Sequence, residues 1–337
     1  MKVLILGGTG VISRCIVEQL LAAGHSPVLF NRGTRKELFR EDVEWLIGDK
    51  NDADTFQALV RPHRFDVVID MISFNAADAA LTVQTFKDRA GQLIFCSSTA
   101  AYRRPFRSIP AREEAEALVD DPAFPYAYHK AEMERYLHTV IEGGEIPVTI
   151  IRPSLTFGIG GANMGVLRQN VNIVHRIEAD KPLVVFGDGT APWSFTFAPD
   201  TASAFAGAAG NERTYGQSYH ATNEDLHIWE DLYLEIGKRI GREPQLVHIS
   251  SQLLHEANPA LFGHLYYEKQ YSGLFDNAKI KRDIPSFRNG ITLAEGLDMM
   301  LRWFGREGHP VDVEKDRLED RLVETYYRFG DELKSLF

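Results

Sequence analysis

Through the first half of the chain, short apolar runs alternate with stretches whose apolar residues recur every three or four positions, the pattern of strands followed by helices. Lys2–Leu6 reads as a strand, Gly7-Gly-Thr-Gly10 as a tight turn, and Cys15, Ile16, Leu20 and Ala23 as the inner stripe of a helix. Ser26–Phe30, Val43–Ile47, Phe65–Met71 and Gln92–Cys96 are further strands, with helices expected over Ala76–Phe86 and Ala131–Ile141. Because strands and helices alternate, the connection rules give a parallel, doubly wound sheet that offers ligands the carboxyl ends of its strands.

A second, smaller region is expected to begin after Thr156. Gly158–Ala162 is a flexible crossing, and Val166–Glu178 reads as a helix carrying Arg168 and His175 toward a substrate, with Asn163 just before it. The chain then returns to the first domain around Trp193–Ala209, and His220–Asn223 is a last strand end. Ile228–Ile240 is a strongly periodic helix that stops at Gly241, Val247–Ile249 a strand, and Ile291–Phe304 a further helix. In the charged tail, Val313–Phe337, residues Leu318, Leu322, Tyr326 and Phe329 share a helix face that packs on the body or on a second subunit, which would make a homodimer. The expected fold is α/β, a Rossmann-type doubly wound parallel sheet with a smaller C-terminal α+β substrate region. Residues 1–156 plus about 191–224 form its nucleotide-binding domain, and about 157–190 plus 225–337 the substrate-binding domain.

Composition narrows the class. The 337 residues are 44% hydrophobic and 25% charged, which suits a globular protein and argues against disorder. A net charge of −10 argues against nucleic acid as the partner, since phosphate-backbone binders carry basic patches. No apolar run is long enough to span a bilayer, and the chain opens directly on a strand without a charged leader, so a cytoplasmic location is expected. The two cysteines, Cys15 and Cys96, lie in apolar elements and read as core thiols, which leaves no cysteine-rich metal site. His264 and Glu268 have helical spacing but no third ligand nearby, so no metal is expected.

The chemistry lies at the strand ends. Glycines at 7 and 10 let the backbone approach a pyrophosphate, while Thr9, Val11 and Ile12 bring loop and first-turn N–H groups toward its charge. Ser13 stands where the usual pattern has a third glycine, so helix and strand are expected to sit slightly further apart. At the end of the second strand an acidic residue would bind the ribose hydroxyls and repel a 2′-phosphate. Asn31 and Arg32 stand there instead, which tilts the choice toward NADP, although Asn31 can still bond a bare ribose and Arg32 or Arg35 can be solvated loop cations. Asp49 can accept from the adenine amine or simply form a turn. Tyr126 and Lys130 stand four apart on one helix face, where an ammonium would favour the phenolate, and Ser98 ends the strand that could bring a hydroxyl to the same substrate oxygen.

Gly7-Gly-Thr-Gly10, Ser97-Ser98, Tyr126-x-x-x-Lys130 and Arg152-Pro153, in that order, resemble the extended short-chain dehydrogenase/reductases, the group of the NAD-dependent epimerases and dehydratases. Val185–Thr190, Trp193–Phe197 with Asp200, and Phe275–Lys279 resemble the family's later segments, so the likeness spans nearly the whole chain. It implies NAD or NADP as cofactor, Ser98, Tyr126 and Lys130 as the catalytic set, and Met71, Pro153 and Leu155 along the cofactor. It further implies hydride transfer at a hydroxyl or carbonyl carbon of a sugar-like substrate, by an epimerase or a reductase, with Tyr126 as acid/base. Two departures matter. Thr99-Ala100 replace the acid–base pair of the 4,6-dehydratases, which argues against dehydration and leaves Thr99 as a substrate contact. Trp193 stands where relatives place an arginine for a nucleotide diphosphate, so a sugar face or apolar group is the expected contact there. The alternative is a catalytically quiet nucleotide-binding or RNA-associated protein on the same fold.

Overall fold

The computed structural model describes residues 1–39, 43–161, 164–168 and 171–337, which separate into two compact units. The first comprises Met1–Thr156, Thr196–Glu224 and Phe275–Gly290. Its strands are β1 (Lys2–Leu6), β2 (Ser26–Asn31), β3 (Glu44–Ile47), β4 (Phe65–Asp70), β5 (Ala90–Cys96), β6 (Val148–Pro153) and β7 (Ser218–Ala221). Its helices include α1 (Val11–Ala22), α2 (Ala53–Val60), α3 (Ala76–Phe86), α4 (Pro125–Gly143) and α5 (Ala198–Ala208). All seven strands run parallel in the order β7-β6-β5-β4-β1-β2-β3, a Rossmann-type sheet whose order reverses beside β1. Both faces are covered. Val3 and Ile5 point into the layer that holds Ile16, Val17 and Phe205, whereas Leu4 and Leu6 point into the opposite one with Phe56, Phe86 and Leu137. Each such large side chain contributes about 1.5–3 kcal/mol by leaving water.

Register fixes what meets at the carboxyl edge. Leu6 pairs with Phe30 and Asp70, Asp70 with Phe95, and Cys96 with Ile151. The residues that follow, Gly7, Asn31, Met71, Ser97 and Arg152, therefore leave the sheet side by side. A polar knot inside the sheet is fully satisfied: buried Gln92 donates to Thr149 Oγ1 and the Ala208 carbonyl, and accepts from Gly210 N.

The second unit comprises Phe157–Phe195, Asp225–Leu274 and Ile291–Phe337. It pairs two short parallel strands, Leu183–Phe186 and Leu246–Ile249, and carries helices Val171–Glu178, Trp229–Ile240, Leu293–Glu307 and Val313–Lys334. The helix expected over 166–178 is described only from Val171. Residues 165–168 form a turn in which Arg168 N donates to the Gly165 carbonyl and Arg168 takes φ +51°, a conformation an α-helix cannot hold. The start of Val313–Lys334 is tied to its own unit by buried Arg176, which reaches Asp316, Glu319 and Asp320. No helix among the described residues is long and apolar enough to cross a membrane.

Candidate active site

The glycine loop is pressed against its neighbours. Gly7 and Gly8 have φ +112° and +94°, and a Cβ at Gly8 would lie 2.6 Å from Leu29 Cδ2, so both the dihedral and the space require glycine. Gly10 is the N-cap of α1, with no side-chain cap and no acidic residue in the first turn, so the first-turn N–H groups and the positive end of the helix face outward. That opening fits a pyrophosphate. Ser13 is buried and accepts the Gly10 N–H at 3.0 Å, so its side chain braces the loop from below.

Asn31 is spent on the same loop. Its Nδ2 donates to the Gly7 carbonyl and its Oδ1 accepts Gly33 N at 2.8 Å, while Arg32 and Arg35 are exposed beyond it. Asp49 is exposed and accepts Asn51 N at 2.9 Å in an Asx turn. Thr9, Ile12, Met71 and Leu155 are half-buried and Pro153 is buried.

Beneath the loop lies a charged hub that the sequence reading passed over. Asp70, ending β4, is 1% exposed and accepts five hydrogen bonds: from Ile72 N and Ser73 N on Oδ1, and from Lys50 Nζ, Ser73 Oγ and Thr82 Oγ1 on Oδ2. Burial by itself would raise its pKa, yet the Lys50 ammonium and the hydroxyl donors hold it below the ordinary carboxylate value. The available signal was two opposite charges at strand ends, Asp70 after an apolar run and Lys50 after Gly48-Asp49.

Lys130 connects this hub to the reactive residues. It lies on the inner face of α4, 2% exposed, and donates to the Ser73 carbonyl at 2.8 Å and the Cys96 carbonyl at 2.7 Å. Two of its three N–H bonds are thereby committed and one remains. Desolvation pulls its pKa below the usual lysine range, with the carboxylates of Asp70 and Glu134 among the groups acting the other way. Tyr126, one turn earlier behind Pro125 at the head of α4, is 43% exposed. Ser98 is half-buried and accepts Ala100 N at 3.1 Å, which orients its oxygen and leaves its own hydrogen free to donate. Thr99 is 1% exposed, with Oγ1 lacking a partner among the described residues.

A second buried network holds the neighbouring strand ends. Glu134, on the same helix as Lys130, accepts from Ser97 Oγ and from Arg152 Nε at 3.0 Å. Arg152 Nη1 donates to Tyr102 Oη at 2.6 Å, and Tyr102 Oη lies 2.7 Å from His220 Nε2. His220 is wholly buried, and burial, reinforced by Arg152, pulls its pKa down to about 3, so it is neutral. Burial also pushes the Cys15 and Cys96 thiols up, to about 12 and about 11, which makes them inert.

The other residues singled out from the sequence lie in the second unit or outside the described residues. Trp193 is 1% exposed, 5.1 Å from the Trp229 ring, and packs on Gly273, where a Cβ would come within 2.4 Å of the indole. Arg168 is exposed, and His175 Nε2 lies 3.2 Å from the His309 carbonyl. Asn163 lies outside the described residues. No group of three or more metal-ligating side chains occurs among the described residues.

The chain is similar to known proteins over most of its length. Residues 3–221 match the sequence profile of the NAD dependent epimerase/dehydratase family. Among curated proteins, the 2′-dehydrokanamycin reductase of Streptomyces kanamyceticus is 26% identical over 315 residues, covering 93% of this chain and 87% of that one. The chloroplast stem-loop binding protein of 41 kDa b from Arabidopsis thaliana is 27% identical over 266 residues, 73% of this chain and 65% of that protein. Among solved structures, the UDP-glucuronic acid 4-epimerase of Bacillus cereus in complex with NAD superposes with a TM-score of 0.72 at 17% identity, covering 91% of this chain and 99% of that one.

Proposed function

The chain belongs to the NAD dependent epimerase/dehydratase family, and within it we propose that it is an oxidoreductase or epimerase acting at a hydroxyl or carbonyl carbon of a sugar-like substrate, with Tyr126 as its acid/base. The observation that carries this reading is the hold on Lys130, a buried ammonium fixed by the Ser73 and Cys96 carbonyls one turn from a half-exposed tyrosine. The first unit is then the nucleotide-binding body. Gly7, Thr9, Gly10, Val11 and Ile12 would cradle the pyrophosphate, Met71, Pro153 and Leu155 would flank the nicotinamide, and the remaining N–H of Lys130 would reach its ribose. When bound, the nicotinamide supplies the hydride acceptor or donor.

The chain's own residues handle the proton. The Lys130 charge favours the phenolate of Tyr126, which takes a proton from a substrate hydroxyl in oxidation and returns it to the oxygen in reduction. Ser98 donates its free hydrogen to that same oxygen. Thr99 and Ala100 present no carboxylate, so elimination of water lacks an acid and base at these positions. The absence of an acidic residue at the end of β2, with Arg32 exposed beyond Asn31, supports NADP over NAD.

The test is turnover across a panel of sugars, sugar acids and their keto forms with both dinucleotides, in the wild type and Tyr126→Phe. Loss of about a hundred- to ten-thousandfold in kcat with dinucleotide binding retained is expected. Unchanged turnover would refute the role of Tyr126. Likeness to the Arabidopsis stem-loop binding protein supports a second reading as an RNA-associated protein, which tight binding of an RNA stem-loop with no turnover on the panel would favour.

A further inference from the structure

The second unit holds cationic and imidazole side chains for which no hydrogen-bond or ion-pair partner stands among the described residues. Lys269 ends a π-helical turn, Leu265–Lys269, a distortion frequent at functional sites. It is 5% exposed, yet among the described residues its Nζ has no hydrogen-bond acceptor or ion-pair partner; its neighbour is the face of Trp229, 5.2 Å away. A buried ammonium is ordinarily paired, because desolvating three N–H donors without an acceptor is costly. His264, which precedes the turn, is 3% exposed and its Nε2 also lacks a partner. Arg168, held at φ +51°, has a guanidinium without a partner among the described residues. His264 and Lys269 lie five residues apart around the same turn, and Arg168 belongs to the same unit. Burial, then Lys269 and Arg168, drive His264 down to about 2; burial and Arg168 bring Lys269 to about 8 against the opposing pull of Glu268.

The surroundings are built rather than accidental. Trp229 Nε1 donates to the Lys269 carbonyl at 3.1 Å, which ties the π-turn to the tryptophan beneath the ammonium. Trp193 packs beside Trp229 and lies flat on Gly273. The result is an aromatic floor with the Lys269 ammonium over it, and among the described residues no hydrogen-bond acceptor meets that ammonium or the His264 Nε2.

We propose that Lys269, Arg168 and His264 form a subsite for an oxyanion carried by the substrate, a carboxylate or a phosphate. The ammonium and the guanidinium fork supply charge-assisted donors, and the neutral imidazole can add an N–H. This rests on the reading of the second unit as substrate-binding. It also gives positive charge back to a substrate region in which Trp193 stands where an arginine was expected.

The experiment is calorimetric titration of the full chain with glucuronate, glucose 1-phosphate, inorganic phosphate and neutral glucose, for the wild type, Lys269→Met and the exposed-site variant Arg168→Gln. One of the sugar anions is expected to bind about tenfold or more tightly than glucose, and both variants are expected to lose about tenfold or more of that affinity. Preference for glucuronate identifies a carboxylate, and preference for glucose 1-phosphate a phosphate. Anions binding no better than glucose, or equally to wild type and both variants, would overturn the proposal. NADPH titrated in parallel checks that each variant is folded. Failure of the wild type to bind any dinucleotide, with the anion response intact, would sink the hydride-transfer reading and leave the subsite standing.

Discussion

Replacing Asp70 by asparagine is the sharpest probe of the hub beneath the glycine loop. The substitution preserves shape and changes one thing: an NH₂ replaces the oxygen that meets Lys50 Nζ at 2.8 Å, Ser73 Oγ at 2.7 Å and Thr82 Oγ1 at 2.6 Å. The remaining oxygen still accepts Ile72 N and Ser73 N. The two hydroxyls can rotate and accept from the new amide, so each loses about 1 kcal/mol at most. An ammonium has no acceptor to offer, and Lys50 is 8% exposed, so its charge stays buried with Ser73 Oγ as its remaining acceptor among the described residues. Breaking a buried pair from one side costs about 3–5 kcal/mol. At about 2–4 °C per kcal/mol for a body of this size, thermal unfolding followed by circular dichroism should fall by roughly 10 °C. Because the folded pKa of Asp70 is depressed, its contribution is fully present above the unfolded value near 4 and is lost as pH falls through the folded value, so the variant also loses that acid dependence. Adding Lys50→Met to the variant should recover about half of the loss or more, since it removes the stranded charge. An Asp70→Asn midpoint within about 2 °C of wild type, or a double variant that loses as much as the two single changes summed, would refute the reasoning.

Two further outcomes follow from the loop. Gly8→Ala meets both a positive φ and the Leu29 side chain at 2.6 Å, so dinucleotide affinity measured by fluorescence titration should fall about tenfold or more, whereas Gly24→Ala, also at positive φ but with nothing within 4 Å, should leave it unchanged. Arg32→Glu should raise the Kd for NADPH about tenfold while changing that for NADH little, and equal effects on the two would argue against a 2′-phosphate contact.

What the sequence made legible is what burial writes into it. Strands covered on both faces read as apolar runs, and Gly7-Gly8 announce a turn because their positive φ values, with Leu29 crowding Gly8, favour glycine. The helical stretch Ala131–Ile141 within α4 and the stop of the Trp229–Ile240 helix at left-handed Gly241 were also readable. What stayed hidden depends on partners distant in the chain. Asn31 stands at the strand end where a ribose would lie, and the Gly7 carbonyl that its amide bonds is 24 residues away in the chain. Glu134 sits four residues after Lys130, and its partner Arg152 is on another element. The apolar pair Val166-Leu167 mimics a helix start, yet both are buried in a turn ended by the positive φ of Arg168. Lys269 gave no sign, since its lack of a partner among the described residues depends on what packs around it and not on its neighbours in sequence.

The placement of Tyr126 follows from these hidden contacts. Lys130 grips the Ser73 carbonyl after β4 and the Cys96 carbonyl at the end of β5, while Glu134, one turn further along α4, grips Ser97 and Arg152. Ser73 is in turn held through both its N–H and its hydroxyl by Asp70. One helix is thus pinned at two successive turns to three neighbouring strand ends, by charged groups that tolerate no slip. Apolar packing alone would accept a helix rotated or shifted slightly, because Met133, Leu137 and Val140 can repack. A shift of one turn, about 5.4 Å, would break every one of these polar contacts at once. Tyr126, 43% exposed at the head of the same helix, takes its position from how α4 is seated. Conservative changes at Glu134 should therefore displace the tyrosine without touching it, lowering kcat in Glu134→Gln more than they raise the KM for the dinucleotide; the opposite split would place the effect of Glu134 in cofactor binding instead.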